Sequence, residues 1–166
     1  NVRENILELQ KEWNMTIRYV HTNIIAKDWR KLSQFYQNVL HCTPMPNGRR
    51  DLKGEWLDKL TGISSVHIEG EHLLLPGGSG DYPTLEIFSY SQNENGNSKL
   101  VNNPGFGHLA FQVDDVRETL SKIIAAGGGQ VGEVVEAVYP DNVKATFVYA
   151  KDIEGNIIEL QSWQRF

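Results

Sequence analysis

The spacing of hydrophobic residues near the start of the chain predicts a helix, a strand and a second helix. Apolar residues recur every three or four positions over residues 2–13, which is typical of a short amphipathic helix. Residues 16–26 are mostly β-branched and aromatic, which favours a strand. Asp28 then stands where it can cap a helix. The buried face of that helix is predicted to carry Trp29, Leu32, Tyr36 and Val39.

The remainder of the first half predicts a helical turn and three strands. Residues 41–63 are rich in proline, glycine and charge, and within them EWLDKL favours a short helical turn that Gly62 ends. The three strands are predicted over residues 64–70, 71–76 and 83–90, with a glycine-rich turn at 77–80. Residues 91–104 are polar and contain few apolar side chains, so they are the best candidate for a linker.

The second half predicts the same order of elements. Residues 106–113 favour a strand, and Asp115 can cap the helix that follows, with Glu118 placed for a capping box. The apolar side of that helix is predicted to carry Val116, Leu120, Ile123 and Ile124. The glycines at 127–129 end the helix, and three strands are predicted over residues 130–138, 143–150 and 156–163.

The two halves also match residue by residue, which indicates an internal repeat. His21 is followed seven positions later by Asp28, and His108 is followed seven positions later by Asp115. The last strand of each half carries a matching glutamate, in PTLEIF and NIIELQ: Glu86 and Glu159. Several matches in the same order are a poor fit to chance, so the chain is predicted to contain two copies of one supersecondary unit.

This repeat predicts the organisation of the whole chain. An N-terminal helix occupies residues 1–15, and a first βαβββ module occupies residues 16–91. A linker over residues 92–104 leads to a second βαβββ module over residues 105–166. The predicted class is therefore α+β, with the two tandem modules forming one domain.

Composition narrows the possible partners. The 166 residues are 40% hydrophobic and 22% charged, which suits a globular core. A net charge of −5 argues against nucleic acid as a partner, because phosphate binding requires a basic surface. No segment reaches the roughly 20 apolar residues that a membrane helix needs. The single cysteine, Cys42, excludes an intrachain disulfide and favours a cytoplasmic location.

The repeated histidines and glutamates predict a metal site. Alternation along a strand sends His21, Glu86, His108 and Glu159 to the side that the predicted helices leave uncovered. A partly buried carboxylate needs a charged partner or a metal ion. Imidazole and carboxylate ligands suit one divalent ion such as Ni, Zn, Co, Mn or Fe. Four protein ligands would leave positions open for water or substrate.

Three segments resemble one protein family. HTNIIAKDWRKLSQFYQNVL, GFGHLAFQVDDV and KDIEGNIIELQSW are similar to the motifs of the vicinal oxygen chelate superfamily, which includes glyoxalases, bleomycin resistance proteins and dioxygenases. The resemblance covers about residues 16–163. It implies that the eight strands form a cupped mixed sheet around the metal and that the chain forms a homodimer. It leaves open whether the site lies within one chain or between two.

The ligand set further resembles that of glyoxalase I, the lactoylglutathione lyase, because position 86 holds glutamate. The resemblance implies a lyase or isomerase whose small-molecule substrate has two vicinal oxygens. Proton transfer would pass through an enediolate held on the metal. One ligand carboxylate would act as the base, and we expect Glu159 in that role with Glu86 as the second candidate.

Three other functions are weighed against this one. A methylmalonyl-CoA epimerase-like isomerase would use the same chemistry, with Glu69 or Glu71 as a second acid or base. An Fe(II) dioxygenase and a small-molecule-binding resistance protein without catalysis are the others. The histidines without a repeat partner are predicted to be structural or exposed: His41, His67 and His72.

Overall fold

The computed structural model describes residues 19–78, 83–94, 96 and 99–166. The helix predicted over residues 2–13 lies outside these ranges. Among the described residues, no helix has the length and apolar character needed to cross a membrane. The elements follow one another as β1 (His21–Ile25), α1 (Trp29–Leu40), β2 (Thr43–Lys53), α2 (Glu55–Thr61), β3 (His67–Leu74), β4 (Thr84–Tyr90), β5 (Leu109–Gln112), α3 (Val116–Ala125), β6 (Gly129–Tyr139), β7 (Val143–Lys151) and β8 (Ile157–Arg165).

The strands form two mixed sheets of four, which confirms the α+β class and the tandem βαβββ modules. The first sheet has the order β1-β4-β3-β2 and the second has the order β5-β8-β7-β6. In each sheet the first and last strands of the module pair in parallel, and the other neighbours are antiparallel. In the described part of one copy, no hydrogen-bonded strand pair joins the two sheets.

Both principal helices begin where the sequence predicts. The Asp28 carboxylate accepts a hydrogen bond from the Lys31 backbone N–H at 3.2 Å, and Asp115 accepts one from Glu118 at 2.9 Å. The four residues predicted for the buried face of α1 are all buried. All four apolar residues predicted for α3 lie in that helix, and Ile124 is the exposed one at 48%. One helical step of about 100° beyond its buried neighbour turns this side chain toward solvent.

The strand prediction for the first module needs two corrections. Residues 43–53 form β2, where no strand was predicted, and β3 is one strand where two were predicted. Pro44 and Pro46 hid β2 in the sequence, but β2 is an edge strand in which a missing N–H donor is tolerated. Its pairing with β3 also shifts register between Pro44 and Arg49, as at a β-bulge. The short helix α2 was predicted correctly and ends at Gly62, which has a φ of 73°.

The two modules share one hydrophobic core. Leu85 and Ile87 from the first sheet, and Ile158 and Leu160 from the second, are fully buried in the same cluster together with α1 and α3 residues. The helix-covered faces of both sheets therefore turn toward each other. Since neighbouring residues on a strand point to opposite faces, Glu86 and Glu159 lie on the faces that turn away from this core.

Polar contacts near the β7–β8 turn join the modules. The Glu154 carboxylate accepts hydrogen bonds from the backbone N–H groups of Lys27 at 2.7 Å and Asp28 at 3.0 Å. The Tyr36 hydroxyl donates to the buried Asp152 carboxylate at 3.0 Å. These contacts connect the β1–α1 junction of the first module to the turn that precedes β8.

Candidate metal centre

The first half-site forms where β1 lies parallel to β4. His21 is the first residue of β1, and Glu86 lies in the middle of β4. The His21 Nε2 atom is 3.1 Å from the Glu86 Oε2 atom. The glutamate side chain is only 11% exposed, whereas the histidine ring is 39% exposed. The pair therefore presents an accessible imidazole beside a shielded carboxylate.

The second half-site repeats this arrangement where β5 lies parallel to β8. His108 directly precedes β5, and Glu159 in β8 is paired in register with Ala110. The His108 Nε2 atom is 2.9 Å from the Glu159 Oε2 atom. The imidazole also packs beside the Tyr149 ring, with 5.1 Å between the ring centroids. The repeat found in the sequence thus corresponds to a repeated imidazole–carboxylate contact.

His72 is a site residue that the sequence analysis missed. It lies directly opposite Glu86 in the β3–β4 pairing, and its Nε2 atom is 2.9 Å from Glu86 Oε1. Its Nδ1 atom is 3.1 Å from the Thr84 hydroxyl oxygen. The only signal in the sequence was strand alternation, and dividing β3 into two strands concealed it. The equivalent position in the second module, paired with Glu159, holds Tyr149 and not a histidine.

Glu69 and Glu71, the suggested second acid or base, lie on the opposite side of β3. The Glu69 carboxylate contacts the Arg30 guanidinium at 3.1 Å, and the Glu71 carboxylate accepts a hydrogen bond from the Ser33 hydroxyl. Both partners belong to α1. These two glutamates therefore lie on the helix-covered face, with the sheet between them and Glu86.

Burial controls the protonation of the first half-site. It raises the pKa of the Glu86 carboxyl, although the positive charges of His21 and Arg50 oppose the shift. Burial, followed by the charges of Arg50 and His21, lowers the pKa of His72 to about 4. His72 is therefore a neutral imidazole at neutral pH, and its contact with Glu86 is a hydrogen bond.

The four predicted ligands form two separate pairs within one copy. Among the described residues, no group of three His, Cys, Asp or Glu side chains converges in a way that could hold a metal ion. A cavity of about 750 Å³ contains His21 and Glu86, and its described lining residues lie in the first module and at the start of the segment that follows it. The second pair, His108 and Glu159, is outside that cavity.

The donor atoms of each pair nevertheless suit a divalent ion. Adjacent ligands at about 2.1 Å from a metal are separated by roughly 3 Å. The imidazole nitrogens and carboxylate oxygens are separated by 3.1 Å in one pair and 2.9 Å in the other. Each pair therefore has the spacing of two neighbouring metal ligands.

Comparisons with known proteins agree with this arrangement of elements. The sequence profile of the Glyoxalase/Bleomycin resistance protein/Dioxygenase superfamily matches residues 18–160. No curated protein matches the sequence of this chain.

Several solved structures have a similar fold. A glyoxalase family protein from Bacillus cereus is 23% identical, with a TM-score of 0.75 over 91% of this chain and 97% of that one. The fosfomycin resistance protein FosX from Listeria monocytogenes, complexed with Mn(II) and sulfate, is 18% identical, with a TM-score of 0.50 over 89% and 93%. A glyoxylase/bleomycin resistance protein/dioxygenase domain from Frankia sp. is 14% identical, with a TM-score of 0.54 over 90% and 93%. At these identities the similarity establishes the fold alone.

Proposed function

The chain belongs to the glyoxalase/bleomycin resistance protein/dioxygenase superfamily, and from this premise we propose that it is a divalent-metal-dependent lyase or isomerase of the glyoxalase I type. The observation that carries the proposal is the repeated imidazole–carboxylate contact on equivalent strands of the two modules. Two carboxylates with two imidazoles can hold a divalent ion and still provide a base for proton transfer.

The residues that would hold the metal are His21 and Glu86 from one half-site and His108 and Glu159 from the other. When bound, the ion acts as a Lewis acid toward two adjacent oxygens of a small-molecule substrate, which makes the neighbouring C–H proton more acidic. Imidazole and carboxylate ligands leave the identity of the ion open among Ni, Zn, Co, Mn and Fe.

Glu159 is the better placed of the two glutamates to act as the base. Both Glu86 oxygens contact imidazoles, because His21 approaches Oε2 and His72 approaches Oε1. Within the described residues, Glu159 has one imidazole contact, from His108 to Oε2. A base must bring an oxygen within hydrogen-bond distance of the proton that it removes. Glu159 would take the carbon-bound proton and return it to the neighbouring carbon, while Glu86 remains fixed.

The active form would be a homodimer with the site shared between two copies. The two half-sites lie on sheet faces that turn away from the common core, so one copy presents them in different directions. The first half-site of one copy would meet the second half-site of the other. A cytoplasmic location stays a prediction from the single cysteine.

Metal content tests this proposal. We expect about one divalent ion per chain in protein purified without chelators or affinity metal. Glu86→Ala and His108→Ala should each lose most of it, whereas His67→Ala should not, since His67 pairs with Asp51 outside the site. Metal-free wild-type protein that takes up none of the candidate ions would contradict the proposal.

Turnover then identifies the reaction. Metal-loaded protein should convert a hemithioacetal formed from an uncharged thiol by proton transfer, and it should consume no oxygen. Turnover of an acyl-CoA thioester would instead indicate the epimerase alternative. Oxygen uptake that requires the metal would instead indicate the dioxygenase alternative. Ligand binding without any turnover would indicate a resistance protein that sequesters its ligand.

A further inference from the structure

The cavity at the first half-site extends from the histidine and glutamate into an apolar region beneath α2. We name this region the apolar trough, and it is lined by Leu52, Trp56, Leu60, Ile63, Ile68 and Phe88. The whole cavity has a volume of about 750 Å³, within the range of small-molecule sites. It is therefore large enough for much more than two metal-binding oxygens.

Helix α2 holds two large apolar side chains over the trough without burying them. Leu57 anchors the helix and is only 2% exposed, in a small cluster with Val66, Ile68 and Phe88. Trp56 is 55% exposed and Leu60 is 74% exposed, although both line the cavity. They are four residues apart and therefore share one face of the helix. Neighbouring exposed apolar side chains beside a cavity are typical of a ligand groove.

The floor of the trough continues to the metal-ligand cluster because residue 70 has no side chain. A Cβ atom at Gly70 would lie 2.3 Å from Phe88 Cδ1, so the Phe88 ring extends across this glycine. On its other side the ring makes an edge contact with His72, with 6.0 Å between centroids. Phe88 thus connects the apolar trough to the imidazole that touches Glu86.

The charges around the cavity disfavour an anionic occupant. Among the described residues that line it, none is a lysine or arginine. Its acidic side chains are Glu86 at the metal end and Glu94 elsewhere on the lining. The positive charge of Arg50 opposes the rise in the pKa of Glu86 that burial causes, but Arg50 is not one of the lining residues. Its guanidinium donates hydrogen bonds to the carbonyl groups of Asn47 and Arg49 at 2.7 and 3.0 Å.

The second module presents apolar side chains on the face that carries Glu159. Trp163 packs against Tyr139 and Phe147, with 5.2 and 5.5 Å between ring centroids. Trp163 and Tyr139 are each 42% exposed. Trp163 is four residues beyond Glu159 on β8 and therefore shares its side of the sheet. In a site shared by two copies, the three aromatic side chains of one copy would line the cavity opposite the apolar trough of the other.

We propose that the substrate carries an uncharged hydrocarbon or aromatic substituent beyond its vicinal oxygens, and that this substituent occupies the apolar trough, with Trp56 and Leu60 as specificity-determining residues. The proposal rests on the proposed function for the position of the oxygens at His21 and Glu86. It disfavours glutathione adducts, coenzyme A thioesters and phosphonates, whose negative charges would meet no lysine or arginine among the described lining residues.

Calorimetric binding of three probes to wild-type protein tests the proposal. The probes are octane-1,2-diol, propane-1,2-diol and 1,2-dihydroxypropylphosphonic acid. The two neutral diols have the same vicinal oxygens and differ only in hydrocarbon length. Burial of the additional methylene groups should make the longer diol bind at least about ten-fold tighter. The phosphonate should bind no better than propane-1,2-diol.

Substitutions test whether the tighter binding of the longer diol depends on the side chains of the apolar trough. Trp56→Ala combined with Leu60→Ser should remove most of the advantage of the longer diol. Val138→Ser, which alters an apolar residue that is 72% exposed on β6, should leave the advantage unchanged. Thermal unfolding of each variant confirms that it is folded, and the comparison of diols in the wild type does not depend on any variant.

The outcomes separate this inference from the proposed function. Metal content is measured in the same samples. Equal affinities for the two diols, or tighter phosphonate binding, would overturn the inference even in protein that holds its metal. A longer-diol preference in protein that binds no metal would support the trough and contradict the proposed function. A double variant that loses its dimeric mass would assign Trp56 and Leu60 to a contact between copies and overturn the inference.

Discussion

The Glu86 carboxylate lies at the end of a short chain of polar contacts. Thr84 Oγ1 approaches His72 Nδ1, and His72 Nε2 approaches Glu86 Oε1. A threonine hydroxyl that donates to Nδ1 leaves the Nε2–H free to donate to the carboxylate. Contacts of this kind hold a metal-ligating carboxylate in one orientation. Glu86 is therefore suited to a fixed ligand role, whereas Glu159 has one imidazole contact among the described residues.

A matched pair of substitutions tests this division of roles. In Glu159→Gln the amide oxygen can still coordinate the ion, so metal content should remain while turnover falls by about 10²-fold or more. Glu86→Gln should keep its metal for the same reason, but its turnover should fall much less, because Glu86 is assigned as a ligand and not as the base. Metal analysis and steady-state kinetics on the two proteins give the comparison. Wild-type turnover in Glu159→Gln would contradict the assignment of Glu159 as the base.

The buried thiol of Cys42 leads to a prediction of how the free energy of unfolding changes with pH. The thiol is only 2% exposed, and burial raises its pKa from about 9 to about 12. Between these values the unfolded chain loses the thiol proton while the folded chain keeps it, so the free energy of unfolding decreases as pH rises. Cys42→Ala should reduce this decrease, as measured by urea unfolding between pH 9 and 11. An unchanged slope would contradict the prediction. In the native protein at pH 8, the thiol should also resist alkylation.

At the scale of single residues, the sequence supplied four candidate ligands because the modules repeat. The seven-residue spacing from His21 to Asp28 recurs from His108 to Asp115, and each histidine lies beside a carboxylate in the structure. His72 was missed because its position depends on the pairing of β3 with β4, which no local pattern reveals.

Among the elements, those with local signals were predicted well and those that depend on tertiary position were not. The two aspartate caps fix the starts of α1 and α3 through contacts three residues away. Strand β2 has no such signal, because its prolines are tolerated only at the edge that the sheet gives it. The side of α3 that packs against the core likewise determines that Ile123 is buried and that Ile124, one helical step further, is exposed.

The close contact between β3 and β4 at Gly70 predicts that a side chain at this position destabilises the sheet. A Cβ atom at Gly70 would lie 2.1 Å from the Ile87 carbonyl oxygen and 2.3 Å from the Phe88 ring. Gly70→Ala should therefore separate the strands locally and lower the free energy of unfolding by about 1–3 kcal/mol. Gly96→Ala is the control, since no heavy atom of the described residues, its chain neighbours apart, lies within 4 Å of a Cβ at that position. Equal urea midpoints for the two variants would contradict the close approach.

For the whole molecule, the arrangement of the two modules determines where a complete site can form. The modules pack through their helix-covered faces into one core, and the β7–β8 turn binds the β1–α1 junction. The half-sites consequently lie on outer faces. The sequence could identify the two modules but not this packing, because the same pattern of apolar residues is compatible with other pairings of the sheets.

The most direct test of a site shared between two copies is the metal content of a heterodimer of Glu86→Ala and His108→Ala chains. Each homodimer would contain only damaged sites. In the heterodimer, one shared site would receive both substitutions, and the other would combine the intact first module of one chain with the intact second module of its partner. With differently tagged chains, we expect the purified heterodimer to bind about one ion and both homodimers to bind almost none. A heterodimer as empty as the homodimers would contradict the shared site, since a site within one chain would be damaged in every copy.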